Sequence, residues 1–326
     1  MTGRFRDWLF EGDGPMAWRD VAVTTAAMAV PPLVAVSLYG RVGAVAFVAA
    51  LPAHLAAKDS GIKVAVLVTL VMGMAGLLSL GQPGMALIVG TILGLMAGIC
   101  GSWGLARPCI RALLTWTIFT SPIIAGADPT FLFLIFTLSM VWALAITWYF
   151  GHLRSTGQEE SESEEYAFTF AIVMAVGMFV SVWVGSRFFG DHGFWFPLTF
   201  VVLCLPPHGH LFKRTAKRSL GTVIGTAIAL LGAALTVTPW VMAGIGLAAL
   251  PLGFRFLPYS YTIFTAFLTL AILEVLALVS NVNQLAFERV GTMAAAAAMT
   301  LGLAVLGWLA LKLFRPEALN ALQDEG

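Results

Sequence analysis

Charge is what this sequence has least of. Only 11% of its 326 residues are Asp, Glu, Lys or Arg and 59% are hydrophobic, where a soluble domain carries about 25% charge. With a mean hydropathy of +0.90, a soluble globular fold is excluded. Cysteine is scarce and unpatterned: Cys100, Cys109 and Cys204 show no C-x-x-C spacing. That argues against a disulfide framework or a thiolate metal centre and leaves buried free thiols in apolar surroundings. There is no Walker sequence, so this chain alone hydrolyses no ATP. No cofactor motif is present, and a net charge of +1 gives no footprint for nucleic acid. Alternating segments of about ten residues, the mark of a β-barrel, are replaced by longer continuous apolar runs.

Those runs place the chain among all-α polytopic membrane proteins, since a helix needs roughly 20 apolar residues to cross a bilayer. Reading between charges and Pro/Gly breaks gives about twelve transmembrane segments, near 21–38, 42–57, 62–80, 85–105, 109–126, 130–150, 166–184, 193–207, 219–237, 240–254, 259–280 and 290–313. Residues 1–20 carry charge and Trp without a small-residue cleavage site. They read as a cytoplasmic, interfacial lead-in and not as a removable signal peptide. With the N-terminus inside, 15 of the 18 Lys and Arg fall on the cytoplasmic side and Arg41, Arg187 and Arg289 outside, as the positive-inside rule requires. Both termini, including the tail 315–326, are then cytoplasmic.

The halves 21–150 and 166–314 resemble each other across the acidic linker 151–165. "LPAHLAAKDSGIK" at 51–63 aligns with "LPPHGHLFKRTAK" at 205–217, and "TIFT" at 117–120 recurs at 262–265. Two matches in the same order predict two parallel six-helix repeats about an axis along the membrane normal.

The segment 205–218 concentrates the polar chemistry. Pro206 and Pro207 predict a helix break, which a membrane tolerates only against protein or a watery cavity. His208, His210, Lys213, Lys217 and Arg218 would give such a cavity a positive potential that gathers anions, with Pro52, His54, Lys58 and Lys63 repeating the device in the first half. The plainer reading makes Lys213, Arg214, Lys217 and Arg218 topology signals facing anionic headgroups. Gly221 and Gly225 form a small-xxx-small face suited to close helix packing.

"HGHLFKRTAKRSLGTVIGTAIALLG", "YSYTIFTAFLTLAILE" and "AFERVGTMAAAAA" resemble the hinge, the aromatic-rich span and the last helix of the fusaric acid resistance and aromatic acid exporter family. The resemblance covers residues 193–313 and reaches the first half only through the repeat. This chain lacks the large cytoplasmic domain of longer members, and its first half has no R-x-x-G-T run. The resemblance implies an inner-membrane exporter of small organic, aromatic carboxylates, working with a periplasmic membrane-fusion adaptor protein. It places Tyr261, Thr265 and Thr269 along the substrate path. Plant malate channels are similar to one such half, so a passive organic-anion channel is the alternative. A non-transporting membrane scaffold is a third reading, and a homodimer stays open.

Glu274 lies well inside its apolar run, where a carboxylate is costly and functional by default. Ser260, Phe267, Glu274 and Asn281 recur at steps of seven, predicting one stripe that faces a cavity. A carboxyl gaining and losing a proton there would supply proton coupling; a structural hydrogen bond is the plain alternative. Asp128, near the repeat-equivalent position, is a second coupling candidate. Arg289 is expected at the outer end of its span, to pair with Glu288 or Glu274 or to receive a departing anion. Trp195 and Tyr261 would stack on an aromatic substrate or, as more commonly, sit in an interfacial belt. "HLAAKD" at 54–59 carries a His-x4-Asp acyltransferase pattern, but its repeat partner lacks the Asp, so no enzyme activity is expected.

Overall fold

The computed structural model describes residues 2–10, 14–153, 161, 163–206, 211–235, 238–277 and 281–314. In chain order the α-helices are α1 (Thr2–Leu9), α2 (Trp18–Met28), α3 (Val30–Tyr39), α4 (Val45–Ser60), α5 (Ile62–Ser79), α6 (Pro83–Ile99), α7 (Ala106–Trp116), α8 (Pro129–Tyr149), α9 (Glu164–Phe188), α10 (Trp195–Leu203), α11 (Leu211–Ala234), α12 (Pro239–Phe256), α13 (Tyr261–Leu276) and α14 (Val282–Phe314). The boundaries follow local chemistry. Proline opens α6, α8 and α12, where its missing N–H has no helical partner to lose. Ser163 caps α9 through the amide of Tyr166, with Glu164 and Glu165 in the first turn, favourable to the helix dipole. Gly61, at φ +89°, separates α4 from α5, a conformation costly for any side chain with a Cβ.

Helices overlap the twelve expected segments with different bounds and lengths, and the first two segments fall in one apolar stretch, Trp18–Ser60. Among the described residues, six stretches are long and apolar enough to cross a membrane: Trp18–Ser60, Ile62–Ser79, Pro83–Trp103, Pro129–Tyr149, Glu164–Phe188 and Val282–Phe314. Trp240–Phe256 and Tyr261–Leu276 are shorter apolar helices. Helices α7 and α10 have 11 and 9 residues, about 17 and 14 Å at 1.5 Å per residue, well short of a bilayer core of about 30 Å. Large apolar side chains on the membrane-length helices point outward, among them Leu67, Leu78, Ile88, Leu138 and Phe168. Such a surface belongs against lipid tails. Exposed Trp103, Trp148 and Tyr149 stand at helix ends, where aromatic belts form.

The fold divides into two compact units, Met1–Thr25 with Phe212–Ala295, and Ala26–Leu211 with Ala296–Gly326. In the larger unit α9, which follows the acidic linker, packs on α6: a methyl on Gly94 or Gly98 would meet the backbone of Met174 or Ala171 at 2.8 and 2.3 Å. Cys109 and Cys204 are buried and Cys100 half-buried, all as thiols.

The two repeat matches differ in local structure. Pro52 lies inside the continuous helix α4, so the break expected in the first half does not form, since a lone proline removes one helical hydrogen bond; α10 ends at Leu203, and Pro207 lies outside the described residues. The first "TIFT" is a 3-10 turn, Thr117–Thr120, and the second lies in α13. Packing in the smaller unit is set by glycines. A Cβ on Gly221 would approach the Thr262 carbonyl oxygen to 2.5 Å and Thr265 Cβ to 2.8 Å; on Gly225 it would approach the Ala266 oxygen to 2.4 Å and Thr269 Cβ to 2.9 Å. Both partners advance by four residues, so α11 and α13 run side by side in the same chain direction. The small-xxx-small face is a packing seam, as its spacing predicts. Helix α12 returns antiparallel to α13, with Gly246 against Ala271 and Glu274, and Gly253 against Phe264 and Phe267.

Candidate functional site

The smaller unit buries three cations. Lys217 is 1% exposed, Arg218 2% and Arg289 1%. An ionised side chain taken out of water is costly unless paired or hydrogen-bonded, so burial of all three in one unit requires polar partners there. Arg218 Nη1 donates to the Tyr261 hydroxyl at 3.1 Å, an interaction produced by the α11–α13 register, while its Nε has no hydrogen-bond partner among the described residues. The charges of Arg289 and Arg218 are close enough to repel each other. Two such guanidinium groups buried in one unit make a region of positive potential.

Hydroxyls continue from these cations along the seam. Arg218, Thr222 and Thr226 stand at steps of four on α11, and Thr262, Thr265 and Thr269 line one face of α13. All five threonines are buried, and none of their hydroxyls has a hydrogen-bond partner among the described residues. A buried helical Thr usually donates to the carbonyl a turn back, as Thr292 and Thr300 of α14 do to Glu288 and Ala296. Hydroxyl donors left unspent beside two arginines are suited to an anion or to water accompanying one.

Glu274 lies one end of α13 away from Tyr261, about 20 Å by helical rise, and is 3% exposed. Its Oε1 has no hydrogen-bond partner among the described residues, and Gly246, where a Cβ would lie 2.8 Å from Glu274 Cβ, makes room for the side chain. The rest of the expected stripe is used otherwise. Ser260 caps α13 through the amide of Ile263, and Asn281 caps α14 through the amides of Asn283 and Gln284. Glu288 accepts from Gln284 Nε2 at 2.7 Å. Arg289, expected near an outer span end, is buried, and its charge is felt by that of Arg218.

The other expected residues have separate surroundings. Lys213 is half-buried on α11; His208 and His210 lie outside the described residues. In the larger unit His54 is fully buried, and its Nδ1 is 2.8 Å from Thr147 Oγ1. Thr147 gives its own proton to the Ala143 carbonyl, so His54 carries its hydrogen on Nδ1 and leaves Nε2 as a bare acceptor. Asp59 is ion-paired with Arg111, so the carboxylate of the His-x4-Asp pattern is committed elsewhere. Lys58 is half-buried and Lys63, the repeat equivalent of Lys217, is exposed. Asp128 is an exposed N-cap, accepting from Phe131 N at 2.8 Å. Trp195 is buried and stacked on His192 at 4.8 Å. Thr222, Thr226 and Trp8 stand out only in the structure. The repeated Gly-Thr pairs at 221–222 and 225–226, in step with Arg218, carried the signal for the first two; nothing local pointed to Trp8.

Residues 172–303, about 40% of the chain, match the family described as Fusaric acid resistance protein-like, the family whose motifs the sequence resembles. The matched region includes α11, α12 and α13 and all three buried cations. The chain is also 26% identical over 96 residues to an uncharacterized protein of Synechocystis sp., an alignment covering 29% of this chain and 13% of that protein. No solved structure matches.

Proposed function

We propose that this protein is an inner-membrane efflux transporter for small organic carboxylates, aromatic ones by its family resemblance, with Glu274 coupling movement to protons. The observation that carries the reading is the burial of Lys217, Arg218 and Arg289 in one helical unit, with Arg218 and Arg289 within electrostatic reach of each other. A carboxylate between two guanidiniums offsets their repulsion and takes paired, charge-assisted hydrogen bonds. The threonine hydroxyls of α11 and α13 replace part of its hydration as it moves. Coupling is assigned to Glu274, since the Asp128 carboxylate caps a helix. The reading includes twelve membrane-embedded segments in two parallel sets of six, both termini cytoplasmic, and a periplasmic adaptor as partner.

A passive organic-anion channel is the second reading. Weak hydroxyl ligands strung along one seam suit rapid passage, and a potential of about 100 mV is worth about 2.3 kcal/mol per charge, enough to expel a monoanion without protons. Efflux of a panel of hydroxybenzoates from proteoliposomes, with and without a pH gradient, separates them. The transporter reading expects saturable, gradient-driven flux whose gradient dependence disappears in Glu274→Gln. Flux that follows voltage alone in both proteins supports the channel.

A further inference from the structure

The described residues near the N-terminus make a series of specific contacts within the smaller unit, and one of them, Trp8, reaches Lys217. The Trp8 ring of α1 lies over Lys217, with Nζ 5.3 Å from its centroid. Phe10 stacks on Tyr259 at 4.7 Å. The Met16 amide donates to the Arg255 carbonyl at 2.8 Å, and Arg255 Nη1 returns a hydrogen bond to the Met16 carbonyl at 3.0 Å. The Arg255 guanidinium also lies 4.4 Å from the Trp18 ring centre. Anchored at positions 10, 16 and 18, the strap holds Trp8 where it covers a buried ammonium that neighbours Arg218 in sequence.

That pairing has a recognition chemistry of its own. The ammonium attracts a carboxylate, while the indole face offers stacking area to a flat ring. An aliphatic carboxylate uses only the first of these. From the placement of Trp8 over Lys217 by the fastened strap, we infer that Trp8 is the aromatic wall of the anion site and sets its preference for aromatic over aliphatic carboxylates. The inference rests on the transport reading above. It assigns a specificity role to residues well outside the region 172–303 that carries the family match.

The test compares initial rates of benzoate and hexanoate in proteoliposomes containing the full chain. Trp8→Ala is expected to lower the benzoate-to-hexanoate ratio about five-fold, the size of one aromatic contact, with hexanoate flux changed less than two-fold. Trp8→Phe is expected to restore most of the ratio. A strap that only supports the fold would lower both fluxes together. That result, or an unchanged ratio, overturns the inference while leaving the transport reading standing. Phe10→Ala, which loosens the strap at Tyr259 without removing Trp8, is expected to lower the ratio in the same direction and serves if Trp8→Ala cannot be recovered. A wild-type protein that moves neither acid refutes the transport reading, and the inference falls with it.

Discussion

Gly225 and Gly232 lie on the same helix, and a methyl group on either would collide with a neighbour. By distance alone Gly232 is the worse site, since its Cβ would meet Met242 Cε at 2.2 Å, against 2.4 Å from Gly225 to the Ala266 carbonyl oxygen. Physical reasoning reverses that order. The end of a methionine side chain swings aside at small cost, whereas the Ala266 oxygen is part of the α13 backbone. Ordinary contact begins near 3.4 Å, so Gly225→Ala requires α11 and α13 to part by about 1 Å. Overpacking of this kind costs about 1–3 kcal/mol. The gain in helix propensity, up to about 1 kcal/mol, applies to both sites and cancels in the comparison. Gly225→Ala is therefore expected to be about 1–3 kcal/mol less stable than Gly232→Ala, with Gly232→Ala close to wild type. Because unfolding of such proteins is commonly irreversible, the assay is the order of thermal midpoints in one detergent at one heating rate. Flux should follow the same order, since the seam also holds Arg218 against Tyr261. Gly225→Ala as stable as Gly232→Ala would refute the account of the seam.

Thr147→Val leaves the buried Nδ1–H of His54 without its acceptor, and is expected to cost about 1–3 kcal/mol, with Thr147→Ser recovering most of it in the same thermal assay. Asp128→Ala removes the cap of α8 at a cost of about 1 kcal/mol; Asp128→Ser restores stability, and the pH-gradient dependence of flux is unchanged in both variants.

The all-helical membrane class was legible because it rests on composition and run length, which need no tertiary contacts. Gly221 and Gly225 were legible for a similar reason: a step of four puts two small residues on one helix face, and the structure uses that face as a seam. Polar spacing was a poorer guide. Steps of seven joined Ser260, Glu274 and Asn281 into one stripe, yet Ser260 and Asn281 stand at helix starts, where their oxygens serve as caps. Proline was a poor guide to a helix break as well, since Pro52 is absorbed within α4. The burial of Arg289 in the same unit as Arg218, about 70 residues away in the chain, depends on how α11, α13 and α14 associate. No local pattern encodes it. The same holds for Trp8, more than 200 residues from the lysine it covers.

The central claim is that the buried arginines recognise a carboxylate, and equilibrium binding to the purified protein tests it most directly. Benzoate is compared with benzyl alcohol, which keeps the ring and loses the charge, on wild type and on Arg218→Gln. The account expects saturable benzoate binding, far weaker binding of benzyl alcohol, and a loss of about ten-fold or more in Arg218→Gln, the worth of a charge-assisted hydrogen bond. Benzyl alcohol binding as tightly as benzoate, or Arg218→Gln binding benzoate as well as wild type while equally stable, would contradict it.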